Sequence, residues 1–160
     1  MKKPYKERTD LERIQSQWGK FRALHTRGEW SAAILRAATG AELAANYAIR
    51  KEFSEVSELD GEFVDSLLLW ANGIAGKINR LLTPLCKGER KKRIQSLAKL
   101  AARINTKRNA IIHQGEFCNK DEAYSILKDT KEFIQSLIAI YEPDFALKIK
   151  ITKKHIQKSD

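Results

Sequence analysis

Apolar side chains recur every three or four residues along most of this 160-residue chain, which is the spacing of amphipathic helices. Glycine, proline and Asp-Gly turn signals interrupt the pattern at regular intervals. The pattern predicts helices that begin near Thr9, Trp30, Glu62, Lys87 and Asn119. Because the connections between them are short, consecutive helices should pack antiparallel. The sequence therefore predicts an all-α antiparallel bundle of about five helices.

The chain is long enough to bury one hydrophobic core, and no shift in composition marks a second domain. We predict one helical domain over residues 1–146 and a basic C-terminal tail over residues 147–160. Alternating residues from Leu147 to Lys153 favour a short strand in that tail. No apolar run approaches the roughly 18 residues that span a bilayer, and the N-terminus lacks the apolar block of a signal peptide. We therefore expect a cytoplasmic protein that does not contact membranes.

The apolar face of the fourth helix contains one charged residue, Arg108, where leucine or isoleucine is expected. Its neighbours at helical spacing are Ile104, Asn105, Ile111 and Ile112, so no carboxylate of the same helix can neutralise it. Arginine cannot lose its charge and is costly to bury unpaired. Its partner must come from another helix, another subunit or a phosphate group.

His113 ends the same helix, with Gly115 as a left-handed cap. The negative end of the helix dipole favours protonated histidine, which suits His113 to proton transfer near neutral pH. Asn109, one turn earlier, is placed to hold the imidazole ring. Arg108 and His113 lie about 140° apart around an ideal helix. A single small ligand therefore does not easily contact both, unless the helix end frays or a second copy contributes.

Glu42 lies beside the apolar stripe of the alanine-rich second helix, and it is our candidate partner for Arg108. Two interpretations of this carboxylate remain open. It either forms a stabilising buried ion pair or positions a catalytic group.

The net charge of +10 and the pI near 9.7 favour a polyanionic partner, with nucleic acid the commonest choice. The densest basic run stands at the start of the helix that carries Arg108, and two further cations extend it. These candidate nucleic-acid ligands are Arg90, Lys91, Lys92, Arg93, Arg103 and Lys107. A solvated charged surface without a ligand is the alternative interpretation.

Histidine and cysteine residues show no metal-ligand spacing. The histidines are His25, His113 and His155, and the cysteines are Cys86 and Cys118. We predict no metal site and no cofactor, and we expect both thiols to be reduced.

An all-helical chain that carries Arg108-Asn109-Ala110-Ile111-Ile112-His113 at the end of its penultimate long helix resembles the HEPN superfamily. The signature of that family is an arginine, usually followed by a polar residue, and a histidine a few residues later. The resemblance covers about residues 103–141, and Glu42 matches the acidic residue that HEPN proteins often carry in an early helix. It implies a HEPN-like bundle and a metal-independent endoribonuclease that works as a homodimer, with the motif helices facing each other across a cleft.

The resemblance also implies a mechanism in which the 2′-hydroxyl of RNA is the nucleophile and a 2′,3′-cyclic phosphate is the product. His113 would transfer protons, Arg108 would clamp the phosphate, and Asn109 would orient either group. The implied settings are toxin–antitoxin or phage-defence systems such as abortive infection, with an antitoxin or defence protein as a further partner. Toxins encoded beside a nucleotidyltransferase antitoxin often have a tyrosine where this chain has Gly115, so other HEPN branches fit equally well.

A noncatalytic function is the alternative. Some HEPN-like bundles bind nucleic acids or nucleotides, or act as scaffolds, without cleaving RNA. In that case Arg108 would be a structural residue paired with Glu42, and His113 would only cap its helix.

Overall fold

The computed structural model describes residues 3–71 and 73–148, apart from the side chain of Arg22. All regular structure within these residues is helical, which confirms the predicted all-α fold. A 3₁₀ turn at Tyr5–Glu7 precedes the first helix. The helices are α1 (Asp10–Thr26), α2 (Trp30–Val56), α3 (Gly61–Trp70), α4 (Gly73–Gly76, then a π-helical stretch Lys77–Leu82, then Thr83–Leu85), α5 (Gly88–Ser96), α6 (Ala98–Gln114) and α7 (Lys120–Ile138).

Helix α2 runs through the centre of the bundle and packs most extensively against α1 and α7. Its buried face is built mainly from alanine, whose small side chain lets neighbouring helices approach closely. Larger side chains from the surrounding helices complete the core, among them Trp18, Phe133, Ile78 and Ile104. None of the described helices is both long and apolar enough to cross a membrane.

Two contacts fix the direction of α6 relative to α2. Before α6 begins, Arg90 donates a 3.0 Å hydrogen bond to Glu52, near the end of α2. After α6 ends, the backbone N–H of Cys118 donates to Ser31 Oγ at 3.1 Å, near the start of α2. Helix α6 therefore runs antiparallel to α2, with its C-terminal end beside the N-terminal part of α2.

Two segments expected to be single helices are divided. The segment from Glu62 to Leu82 contains two helices. The first ends at Trp70, and the second begins at Gly73, which has a φ of +74°. A side chain on Gly73 would collide with Asn105 Oδ1, which accepts a 3.1 Å hydrogen bond from the Ile74 N–H. This close approach requires glycine and anchors α4 on α6. The helix predicted to carry both the basic run and Arg108 is divided at Leu97, where a tighter turn separates α5 from α6.

We expect Gly73→Ala to lower the free energy of unfolding by about 1–2 kcal/mol, since alanine disfavours a left-handed backbone and its methyl group would displace Asn105. Urea denaturation followed by circular dichroism measures this loss. Gly76→Ala is the matched control, because nothing lies within 4 Å of its added methyl group. Alanine should be neutral there or stabilise the helix by up to about 1 kcal/mol. Equal effects of both substitutions would contradict the assigned role of Gly73.

The packed part of the chain reaches slightly beyond residue 146. Leu147 is 6% exposed and belongs to the core, and the Lys148 N–H donates to Gln15 Oε1 at 3.4 Å. Most of the predicted strand and the rest of the basic tail lie outside the described residues.

Candidate functional site

A cavity of about 870 Å³ opens between α2, α3, α4 and α6. All four residues predicted to be catalytic line it: Arg108, Asn109 and His113 from α6, and Glu42 from α2. Glu42 and the motif are more than sixty residues apart along the chain, so the packing of α2 against α6 brings them to one cavity. The other lining residues are Asn46, Arg50, Asp65, Leu68, Leu69, Ala71, Gly73, Lys77 and Asn105.

Two rows of polar side chains, each spaced by four residues, line opposite sides of the cavity. They are Glu42, Asn46 and Arg50 on α2, and Asn105, Asn109 and His113 on α6. Residues four apart share a helix face, and eight residues of α-helix extend about 12 Å. Because α2 and α6 run antiparallel, Arg50 and His113 lie toward opposite ends of the cavity.

Arg108 is half-buried, and its Nη1 donates a 3.1 Å hydrogen bond to Asn109 Oδ1. None of the ion pairs among the described residues involves this guanidinium. The helix continues to Gln114 without fraying, yet Arg108 and His113 both reach the cavity. Their angular separation is overcome because the cavity is wide and the arginine side chain is long. Arg108 is thus a charged group that faces a cavity and has no carboxylate partner in the part of the chain that the structure describes.

The predicted pairing of Glu42 with Arg108 is wrong. Glu42 Oε1 accepts a 2.9 Å hydrogen bond from Lys77 Nζ, and Lys77 is only 3% exposed. Lys77 opens the π-helical stretch of α4, a local geometry that occurs frequently at functional sites. Sequence reasoning missed Lys77, although the signal was the one that identified Arg108: a cation within an apolar stripe, three residues after Ile74 and four before Leu81.

The Arg50 end of the cavity is a second polar cluster. Arg50 Nε donates to Asp65 Oδ1 at 2.9 Å, and its Nη1 donates to Asp10 Oδ2 at 3.2 Å. Nearby on α2, the Oδ1 atom of Asn46 is buried and has no hydrogen-bond partner among the described residues. Sequence reasoning identified none of these residues, because they come from three different helices and none interrupts an apolar stripe.

The basic run at the start of α5 lies outside the cavity lining. Arg90 forms ion pairs with Glu52 at 3.0 Å and Glu55 at 2.6 Å, and these hydrogen bonds raise its pKa. Lys92 pairs with Glu89 at 2.6 Å. Lys91 and Arg93 form no ion pair among the described residues, and their role in binding nucleic acid stays a prediction, as does that of Arg90 and Lys92.

The two cations predicted nearer to the motif also have carboxylate partners. Arg103 pairs with Asp129 at 2.6 Å. Lys107 donates to Glu116 and, at 3.3 Å, to Glu122, and the bond to Glu116 raises the pKa of the Lys107 ammonium. Neither residue lines the cavity. The cations that do line it are Arg50, Lys77 and Arg108.

One group of side chains has the composition of a metal site. Ligand atoms of Glu116, Cys118 and Glu122 lie within 4.8 Å of one another. The ammonium of Lys107 already contacts both carboxylates and supplies the positive charge that a metal ion would bring. This group is therefore best described as an ion-pair cluster that ties the loop after α6 to α7.

The cavity thus combines an unneutralised guanidinium, an imidazole on an exposed residue and an ion-paired carboxylate. These groups can bind an anion and transfer a proton beside it. Comparisons of the chain with protein-family models, with curated proteins and with solved structures found no match. Its function must therefore be argued from the chemistry of the cavity.

Proposed function

We propose that the protein is a metal-independent endoribonuclease of the HEPN type, which cleaves RNA and leaves 2′,3′-cyclic phosphate ends. The observation that carries this proposal is the convergence of Arg108, Asn109, His113 and Glu42 on one cavity. Four residues selected from a sequence pattern on two distant segments meet there.

The proposed reaction needs two proton transfers and one cation. The 2′-hydroxyl oxygen attacks the adjacent phosphorus as a base removes its proton, and the bond from phosphorus to the 5′-oxygen breaks as an acid protonates that oxygen. Negative charge develops on the other phosphate oxygens and must be stabilised. No metal ion is required, because RNA supplies the nucleophile.

Arg108 fits the role of phosphate clamp. It forms no ion pair among the described residues, and its contact with Asn109 orients the guanidinium within the cavity. A guanidinium offers two parallel N–H donors to a phosphate. Arg50 is held by Asp65 and Asp10, and Lys77 is held by Glu42, so among the described residues Arg108 is the lining cation that is left to attract an anion.

His113 fits the proton transfers. It lines the cavity in the last turn of α6, and it is exposed to solvent. One imidazole cannot remove one proton and donate another at the same moment, so a second copy of the chain would supply the second group. An exposed apolar side chain on the motif helix supports such a homodimer with facing motif helices: Ile112, next to His113, is 46% exposed.

RNA is thus the proposed substrate and a second copy the proposed partner. An antitoxin or another defence protein that controls access to the cavity is a further proposed partner, in a cytoplasmic toxin–antitoxin or phage-defence system. The gene neighbourhood would identify that setting.

We expect the purified protein to cleave RNA in excess EDTA. Mass spectrometry of the products should find 2′,3′-cyclic phosphates and 5′-hydroxyl ends, because the 5′-oxygen is the leaving group. RNA that is bound but never cut would contradict the proposal and favour the noncatalytic binding module. Cleavage that appears only with added Mg²⁺ would contradict it as well, because a metal-dependent nuclease would then be responsible.

A further inference from the structure

The Arg50 end of the cavity holds hydrogen-bond acceptors for which the proposed cleavage chemistry has no use. We infer that Asp65 and Asn46 form a base-recognition subsite that selects guanine in the RNA nucleotide next to the phosphate that is cleaved. This inference rests on the proposed function and names the base that the same cavity would select.

Asn46 supplies an acceptor in need of a donor. Its Oδ1 atom is buried and without a hydrogen-bond partner among the described residues, and the residue lines the cavity. A buried polar atom without a partner is costly, and such atoms are rare in folded proteins. A rotation of the Asn46 side chain toward the cavity would bring this atom to a ligand N–H.

Asp65 supplies a second acceptor in a fixed position. Its side chain is 58% exposed, and its Oδ1 accepts from Arg50 Nε at 2.9 Å. Arg50 is itself held by Asp10 at 3.2 Å, so the carboxylate is oriented from α1 and α2. The Oδ2 atom of Asp65 forms no hydrogen bond with any described residue, and each carboxylate oxygen can accept more than one bond.

A pair of acceptors distinguishes the four bases by their Watson–Crick edges. Guanine presents two adjacent donors there, the N1–H and the N2 amino group. Adenine and cytosine present one amino donor beside an acceptor nitrogen, and uracil presents one N–H between two carbonyl groups. A carboxylate therefore pairs best with guanine, because every other base places a lone pair against it or offers a single donor.

The surface beside Asp65 suits the face of a base. Leu69 follows Asp65 by one helical turn, lines the cavity and is 82% exposed. Along α2, Glu42 and Arg50 are about 12 Å apart. This distance separates the base, at the Arg50 end of the cavity, from the catalytic groups. In this proposal, one nucleotide has its base at Asp65 and its phosphate near Arg108.

Nucleotide binding tests the subsite without relying on catalysis. Isothermal titration calorimetry of the full-length protein with GMP, IMP, AMP, CMP and UMP is expected to give the tightest binding for GMP, by about tenfold over AMP. IMP lacks only the N2 amino group, so its weaker binding would report the second hydrogen bond. Asp65→Asn should abolish the preference for GMP, because the amide replaces one acceptor with a donor.

The matched control is Glu62→Gln, which removes an exposed carboxylate from the same helix outside the cavity lining and should leave binding unchanged. Asp65→Asn removes only an exposed ion pair, so thermal unfolding should show an intact fold. Asn46→Ala is the second variant and should weaken GMP binding several-fold. Sequencing of RNA cleavage products provides the second measurement, with guanine expected beside the cut in wild type and not in Asp65→Asn.

The outcomes separate the two proposals. Equal affinity for all five monophosphates, or a GMP preference that survives in Asp65→Asn, overturns the guanine subsite even if RNA is cleaved. A GMP preference that disappears in Asp65→Asn supports the subsite. If this loss of GMP preference were observed in a protein that does not cleave RNA, the proposed ribonuclease function would be wrong and the guanine subsite would still be supported.

Discussion

His113→Ala is expected to lower the single-turnover rate of RNA cleavage by about 10²–10⁴-fold, the usual contribution of a general acid or base. His113 lines the same cavity as Arg108, which it follows by five residues in the sequence motif. The residue is exposed, so its loss should barely change the free energy of unfolding. Activity measured in excess EDTA, together with a thermal unfolding curve, separates lost chemistry from lost structure.

Arg108 offers a companion test with a graded design. Arg108→Ala should lower cleavage by about 10²–10³-fold, because no donor then stabilises the charge on the phosphate. Arg108→Lys keeps the charge but loses the two parallel N–H donors, so it should recover only part of the activity. Gln114→Ala is the control, since Gln114 is exposed at the end of the same helix but does not line the cavity. Activity of His113→Ala or Arg108→Ala within a few-fold of wild type would eliminate that residue from the mechanism.

Glu42→Ala is expected to lower the free energy of unfolding by about 3 kcal/mol, because it leaves the buried Lys77 ammonium without its counter-ion. Urea denaturation would measure the loss as a shift of the midpoint at constant slope. The double variant Glu42→Ala/Lys77→Met should recover most of it, since methionine removes the unpaired charge and fills the apolar surroundings of the lysine stem.

A matched control comes from another ion pair of α2. Glu55→Ala removes an exposed carboxylate that pairs with Arg90, and we expect it to cost less than about 1 kcal/mol. A Glu42→Ala variant as stable as Glu55→Ala would show that the Lys77–Glu42 pair does not stabilise the fold. If the double variant is no more stable than the Glu42→Ala variant, the loss of stability does not come from the unpaired Lys77 ammonium.

The helices could be predicted from the sequence because their causes are local. Helices begin beside Thr9 and Asn119, as predicted, because these residues form capping boxes with Glu12 and Glu122. Gly115 ends α6 with a φ of +65°, which is the predicted left-handed cap. The two broken helices were missed. The break before Gly73 depends on Asn105, a residue on another helix, so its cause is tertiary.

The candidate site was predicted in part. A cation in an apolar stripe identified Arg108, and the same reasoning applied to the stretch around Lys77 would have found the actual partner of Glu42. No such signal marks Asn46, Arg50 and Asp65. A polar residue on a helix surface gives the same sequence pattern whether it faces solvent or a cavity. Similarly, the sequence showed the basic residues but not which of them are held by carboxylates of distant helices, as Arg90 and Arg103 are.

By itself, the sequence determined the helical content, the caps that bound the helices and the presence of a guanidinium that no neighbour on its own helix could neutralise. Tertiary structure alone decided which carboxylate met which cation, and that the arginine was left facing a cavity beside the histidine. The physical reason is the separation of the interacting residues along the sequence. Hydrogen bonds and apolar spacing within a helix involve residues at most a few positions apart. Ion pairs and cavities depend instead on how whole helices pack, and that packing brings together residues distant in the sequence.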